Sequence, residues 1–287
     1  MRGIEGVGFV DLTPVQEESI PLALAGRDVA AQAQTGTGKT AAFLITLFTR
    51  LLRNPPAVKG APRALVIAPT RELVVQICAD AEGLGACCPF KVQPIFGGVD
   101  YEKQRRALQT GVDVIVARPG RLIDYVKQNV FSLKQIEALV IDEADRMFDM
   151  GFIRDLRYIL RKLPAFEKRQ TMLFSATLSH RVMELAYEFM NLAEKVSIEP
   201  EQVTARHVRQ VLYHTANEDK IPLLLGLMRR IDAQRSIVFV NTKRDAEKVW
   251  SYLEGNGLKS AILSGDVPQK KRQSLLRQFQ EGQLAIL

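Results

Sequence analysis

Cysteine, histidine and aromatic side chains are all scarce in this chain, and each scarcity excludes a class of chemistry. The three cysteines, Cys78, Cys87 and Cys88, are odd in number and confined to one segment. They form no disulfide framework and no C-x-x-C pair for zinc, and they fit small thiols in a reducing compartment. Three scattered histidines, His180, His207 and His214, with no H-E-x-x-H run, argue against a histidine-based metal centre. No stretch approaches the roughly 18 to 20 consecutive apolar residues that a membrane span needs, and Met1-Arg2-Gly3-Ile4 carries no apolar signal core. A cytoplasmic chain with no membrane association is the expectation. What remains is ordinary globular material, 47% hydrophobic, 25% charged and 7% aromatic. At 287 residues it is too long for one typical core, so one large or two medium domains are expected.

The net charge of +7 is unevenly spread: residues 1–200 hold 25 Lys and Arg against 23 Asp and Glu, and residues 201–287 hold 14 against 9. A surplus of that size points to nucleic acid only in combination with motifs. Short runs rich in Val, Ile and Leu recur at 29–33, 64–68, 112–117, 138–141, 171–174, 236–240 and 260–263. Between them, stretches such as 40–52, 72–85 and 179–190 space their apolar residues by three and four, as helices do. That alternation predicts α/β architecture with parallel sheets and crossover helices. The polar stretch 199–207, with Pro200, reads as a linker. Two domains are therefore expected, 1–200 and 201–287. The apolar run Leu284-Ala285-Ile286-Leu287 reads as the start of a buried strand, so the second domain is expected to be incomplete.

The most informative segment is Ala33-Gln34-Thr35-Gly36-Thr37-Gly38-Lys39-Thr40, which follows one strand pattern and opens a helical one. It is a P-loop. Glycines let backbone N–H groups close around a phosphate, and the helix start adds a favourable dipole. Lys39 can reach the β- and γ-phosphates, and the Thr40 hydroxyl can ligate Mg²⁺. A second carboxylate for the metal stands after an apolar strand, in Leu139-Val140-Ile141-Asp142-Glu143-Ala144-Asp145. Asp142 would hold Mg²⁺ and Glu143 would polarise water, a division of labour suited to phosphoanhydride hydrolysis.

Asp142-Glu143-Ala144-Asp145 spells D-E-A-D, and with the P-loop the chain resembles the DEAD-box RNA helicases, ATP-dependent enzymes built from two RecA-like P-loop domains. The resemblance runs along the whole chain. Gly8-Phe9-Val10-Asp11-Leu12-Thr13-Pro14-Val15-Gln16 is similar to the Q motif, which implies that the Gln16 amide reads adenine, with Phe9 against the base. One amide donates and accepts at once, as adenine requires. Pro69-Thr70-Arg71 resembles motif Ia, and Gly97-Gly98 and Arg118-Pro119-Gly120-Arg121 resemble the elements that hold the RNA backbone, with Arg118 in place of the usual threonine. That departure leaves the charge logic of the element intact and removes one hydroxyl. Ser175-Ala176-Thr177 resembles motif III, which links the ATP site to RNA remodelling. In the second domain, 237–242 resembles motif IV, and Gln269-Lys270-Lys271-Arg272 resembles the Q-x-x-R element, implying RNA contacts from Gln269 and Arg272.

Residues 145–152 and 199–202 are most similar to the bacterial RNA helicase B subgroup, which implies RNA as substrate and an RNA-degradation complex as partner. The family also has an aromatic residue well upstream of the glutamine, so the chain is expected to be clipped at the front as well. Motifs V and VI of the family, whose arginines reach the γ-phosphate, do not occur in these 287 residues. An arginine of that kind is worth about 10³ to 10⁵ in rate, so the chain alone is expected to be poorly active. Two rival readings remain: a catalytically incomplete RNA- and nucleotide-binding module, and a P-loop enzyme with another acceptor, such as a small-molecule kinase. The second explains neither the Q motif nor the D-E-A-D run.

Overall fold

A computed structural model describes residues 2–198, 208–230 and 235–287. The chain divides into two compact units, Met1–Ala205 and Arg206–Leu287, and most of the expected linker lies outside the described residues.

The first unit is built on a parallel sheet of β1 (Val29–Gln32), β2 (Ala64–Ile67), β3 (Val92–Ile95), β4 (Val114–Ala117), β5 (Ala138–Ile141), β6 (Gln170–Ser175) and β7 (Glu194–Ser197), in the order β3-β4-β2-β5-β6-β1-β7. Side chains alternate between its faces. Ala31, Ala64, Val66, Val116 and Val140 belong to one core with α1 (Arg2–Gly6), which adds Ile4, α2 (Pro14–Leu24), α3 (Lys39–Arg53) and α4 (Arg71–Leu84). Their small size leaves room for Phe43, Leu44, Leu47 and Phe48 of α3. Leu65, Ile67, Ile115, Leu139 and Leu173 form the opposite core with α5 (Tyr101–Gln109), α6 (Pro119–Lys127), α7 (Ala144–Asp149), α8 (Ile153–Leu160) and α9 (His180–Phe189). Burial on both faces is why the central strands read as continuous apolar runs.

Five strands of this unit coincide with the runs expected from sequence, to within two residues at each end. The other two, β3 and β7, close the sheet at its two edges. Edge strands are half covered and tolerate Pro94 in β3 and alternating Glu194 and Lys195 in β7, so neither shows an apolar run.

The second unit contains three helices among its described residues, α10 (Lys220–Arg230), α11 (Lys243–Gly255) and α12 (Gln269–Gln280). The expected strands 236–240 and 260–263 are not ladders. Ser236 and Ser260 make only isolated parallel bridges to Ile286. Ser236 N donates to Ala285 O at 2.8 Å, Val238 N to Leu287 O at 2.8 Å and Ala261 N to Ile286 O at 3.0 Å, so the terminal apolar run lies between the other two segments. Pairing stops there, and Phe239 is exposed.

Candidate active site and nucleic-acid interface

The P-loop leaves β1 and enters α3 at Lys39, with Gly36 at φ 84° and Gly38 at φ 89°, a region that side chains rarely adopt. Gly38 is constrained twice, because a Cβ there would lie 2.5 Å from Gln16 Nε2 and 3.0 Å from Thr13 Oγ1. Gln16 is buried; its Nε2 donates to Gly38 O at 3.0 Å and its Oε1 accepts from Thr13 N at 3.0 Å. The amide thus braces the P-loop from the start of α2, keeping one donor and one acceptor in reserve. Thr37 Oγ1 closes the turn by donating to Gln34 O at 2.7 Å, and Ala33 N donates to Ser175 O at 2.9 Å.

A cleft of about 460 Å³ opens above this loop, within the usual range for a small-molecule site. Phe9, Thr35, Gly36, Gly38, Lys39 and Thr40 line it together with Asp142 and Glu143. Gln16, Ala33, Gln34 and Thr37 are not part of the lining. Lys39 Nζ is buried and makes no hydrogen bond to protein, an arrangement that costs stability unless an anion completes it.

Asp142 directly follows β5 and is 2% exposed. Burial pushes its carboxyl up to about 6, against the pull of Lys39 and with the repulsion of Glu143. Its Oδ1 accepts from Glu143 N at 2.9 Å. Glu143 caps α7 from the left-handed region at φ 50°, ψ 52°, a strain of about 1 to 2 kcal/mol for a residue with a side chain. Its Oε2 is 2.9 Å from Arg146 Nη1. Such strain at a cleft suits a functional position.

A folded-state carboxyl that ionises later than in the unfolded chain costs stability as pH rises from about 3.8 to about 6. Asp142→Asn should therefore stabilise the free protein near neutral pH by on the order of 2 kcal/mol while abolishing Mg-dependent nucleotide binding. The Asn Oδ1 can still accept from Glu143 N. The gain should shrink below pH 6 and vanish near pH 4, as urea denaturation at several pH values will show.

The fourth residue of the D-E-A-D run does work that spacing did not reveal. Asp145 Oδ2 accepts from Thr177 N at 3.0 Å and Oγ1 at 3.2 Å, and Asp145 N donates to Ser175 Oγ at 3.1 Å. The strand end carrying Asp142 and the segment Ser175-Ala176-Thr177 are thereby joined directly. Repetition of a carboxylate at the helix start was the available signal.

Beyond β2, β3 and β4 the same sheet edge gathers arginines. Thr70 caps α4, accepting from Leu73 N at 3.2 Å. A Cβ on Gly98, at φ 86°, would fall 2.6 Å from Arg71 Nη1, so that glycine lets a guanidinium approach the backbone, whereas one on Gly97 would stand in ordinary contact, 3.6 Å from Arg121 Nη2. Arg121 lies 4.8 Å from the Tyr101 ring centroid and 5.8 Å from that of Tyr125. Arg118 donates from Nε to Pro69 O at 3.1 Å and stacks 4.5 Å over Phe152. Gly120 lies in the first turn of α6. Gln269 and Arg272 belong to the second unit, where Arg272 Nη2 donates to Ser264 O at 2.6 Å. The rings beneath the arginines come from three places: Tyr125 is one helical turn from Arg121 on α6, Tyr101 starts α5, and Phe152 lies in the turn before α8.

Among the described residues no group of His, Cys, Asp and Glu is placed to hold a metal by protein ligands alone, and no helix is long and apolar enough to cross a membrane. A metal brought by a triphosphate is a different matter: the glycine cradle, the orphan Lys39 ammonium and the buried Asp142 carboxylate fit that pair.

A P-loop after β1 and a buried aspartate after β5, two strands separated only by β6 in a parallel sheet, define a nucleotide-binding domain of the RecA-like class. The DEAD/DEAH box helicase family matches residues 13–185, and the helicase conserved C-terminal domain matches residues 219–287. The chain belongs to the DEAD/DEAH box helicase family. It is 56% identical to the ATP-dependent RNA helicase RhlB of Xanthomonas axonopodis pv. citri over 291 residues, covering 100% of this chain and 51% of that protein. The RhlB of Haemophilus influenzae is 53% identical over 282 residues, covering 98% and 68%. Among solved structures, S. cerevisiae Dbp5 bound to Gle1 and IP6 matches with a TM-score of 0.72 at 31% identity, covering 100% of this chain and 70% of that one. A DEAD box protein from Methanococcus jannaschii matches with a TM-score of 0.63 at 30% identity, covering 100% and 76%. The chain spans about half the length of the Xanthomonas relative.

Proposed function

We propose that the protein is an ATP-dependent RNA helicase that remodels RNA duplexes by binding and hydrolysing ATP. The observation that carries this reading is the buried Lys39 ammonium, without a protein hydrogen bond, facing a cleft shared with Asp142 and Glu143. The glycines and Lys39 hold the phosphates, Thr40 and Asp142 hold Mg²⁺, and Phe9 with the spare amide groups of Gln16 meets adenine. Mg²⁺, when bound, neutralises charge on the phosphoryl oxygens. Glu143 orients the attacking water and takes its proton. Asp145, through Ser175 and Thr177, keeps the strand end in register with the segment that answers RNA binding.

Residues 1–200 form the ATP-binding RecA-like domain, and 201–287 form part of the helicase C-terminal domain. Pro69, Thr70, Arg71, Gly97, Gly98, Gly120 and Arg121, with Gln269 and Arg272 of the second unit, contact the RNA backbone, as glycines, helix starts and guanidinium groups are suited to do. Resemblance to the RhlB relatives supports a cytoplasmic role in RNA turnover within an RNA-degradation complex. RNA should stimulate ATP hydrolysis by the full-length protein at least tenfold, and ATP should outcompete GTP for a labelled nucleotide. Hydrolysis indifferent to RNA would reject the helicase reading in favour of another P-loop activity.

A further inference from the structure

Arg118 stands where the family resemblance places a threonine that touches RNA, and its surroundings are unlike those of a phosphate ligand. Its Nε is committed to Pro69 O at 3.1 Å, and the guanidinium plane lies over Phe152 at 4.5 Å. Burial first, and then the neighbouring Arg71, hold its ionisation below the usual guanidinium range against the weaker pull of Asp155 and Glu72. The Nε donor and the ring-facing side of the guanidinium are thus both taken by protein groups.

What the side chain joins is informative. Pro69 immediately precedes Thr70, the cap of α4, and Arg71. Phe152 lies in the short turn between α7, which starts inside the D-E-A-D run, and α8; its N–H donates to Met147 O at 2.9 Å, and its carbonyl accepts from Leu156 N at 2.8 Å. Arg118 itself is anchored by its own N–H to Ile95 O at 2.9 Å. One guanidinium therefore spans the turn after β2, the end of β4 and the end of the helix that follows Glu143.

We propose that Arg118 is a positioning residue and not a phosphate contact: gripping the Pro69 carbonyl and the Phe152 ring, it fastens the RNA-facing turn 69–71 to the end of the D-E-A-D helix. The proposal rests on the RNA-binding reading of that turn. It differs from a simple added cation in requiring the planar fork and the ring, which a lysine does not reproduce.

Single-stranded RNA binding is to be titrated against salt for the wild-type chain, Arg118→Ala, Arg118→Lys, Phe152→Leu and the double variant Arg118→Ala/Phe152→Leu, with Arg71→Ala as the phosphate-contact control. Arg118→Ala, Arg118→Lys and Phe152→Leu should each weaken binding about fivefold at fixed salt, with the wild-type salt slope retained. The double variant should be no weaker than either single one, since both remove the same clasp. Arg71→Ala should reduce the slope by about 0.7, the share of one contact to a single strand. A reduced slope for Arg118→Ala that Arg118→Lys restores, or additive losses in the double variant, would overturn the proposal. Absence of salt-sensitive RNA binding by the wild-type chain would instead defeat the RNA reading. The clasp is then still decided by thermal melts, in which the Arg118→Ala and Phe152→Leu shifts in Tm must be non-additive, and additive shifts overturn it.

Discussion

Lys39→Ala should weaken Mg-ATP binding by about 10² to 10⁴-fold while leaving the fold of the first unit intact. The ammonium is buried without a hydrogen-bond partner in the protein, so its donors are available to phosphate oxygens. Charge-assisted hydrogen bonds contribute about 1.5 to 3 kcal/mol each, and two of them account for that range. Alanine at the first position of α3 is a good helix former, and the substitution relieves an uncompensated buried cation. The same change removes the charge that does most to hold the Asp142 carboxyl down, leaving only the Glu143 N–H, so its ionisation should move above about 6 and weaken metal binding further. Calorimetric titration with Mg-ATP, alongside circular dichroism to verify the fold, checks both halves. Equal affinity for wild type and variant would sink the P-loop assignment.

Turnover by the full-length protein should fall by about 10² to 10⁴-fold in Glu143→Gln, the range associated with loss of a positioned general base, with little change in affinity for ATP. The backbone at φ 50° turns this side chain out of the line of β5 and toward the cleft, where Arg146 at 2.9 Å fixes its direction. Glutamine keeps that geometry, since its Oε1 can accept from Arg146 Nη1, but it cannot take a proton from water. A falling kcat with an unchanged dissociation constant would mark an interaction made only during the reaction. Unchanged kcat would remove Glu143 from the mechanism, and a parallel loss of ATP binding would reassign it to the ground state.

Much of the ATP site is legible in one dimension because its parts are local. A P-loop needs glycines at set positions between a strand and a helix, and 33–40 supplies them in consecutive residues. Asp142 and Glu143 are visible because a four-residue apolar strand ends on them. Resemblance to the Q motif implies that Gln16 reads adenine, while the structure adds that its amide braces Gly38, a contact across 22 residues that no spacing displays. Edge strands β3 and β7 were illegible for the opposite reason: half-covered strands need no apolar run, so nothing distinguishes them from loops.

By itself the sequence determined the α/β class, the strand-to-helix alternation, the phosphate cradle and the carboxylates at a strand end, since each is written in backbone preference or short-range periodicity. Only the tertiary structure decided the sheet order, and with it every pairing of distant groups: Asp145 with Thr177, Arg118 with Pro69 and Phe152, Arg121 with Tyr101, and Asp28, whose buried carboxylate accepts from Thr171 N at 2.8 Å and Asn191 N at 2.7 Å to tie the start of β1 to that of β6 and to the segment before β7. Periodicity states which face of an element is buried. Which element covers it depends on packing over the whole sheet, and the chemistry of the arginine clasp and of the Asp145 link exists only after that choice has been made.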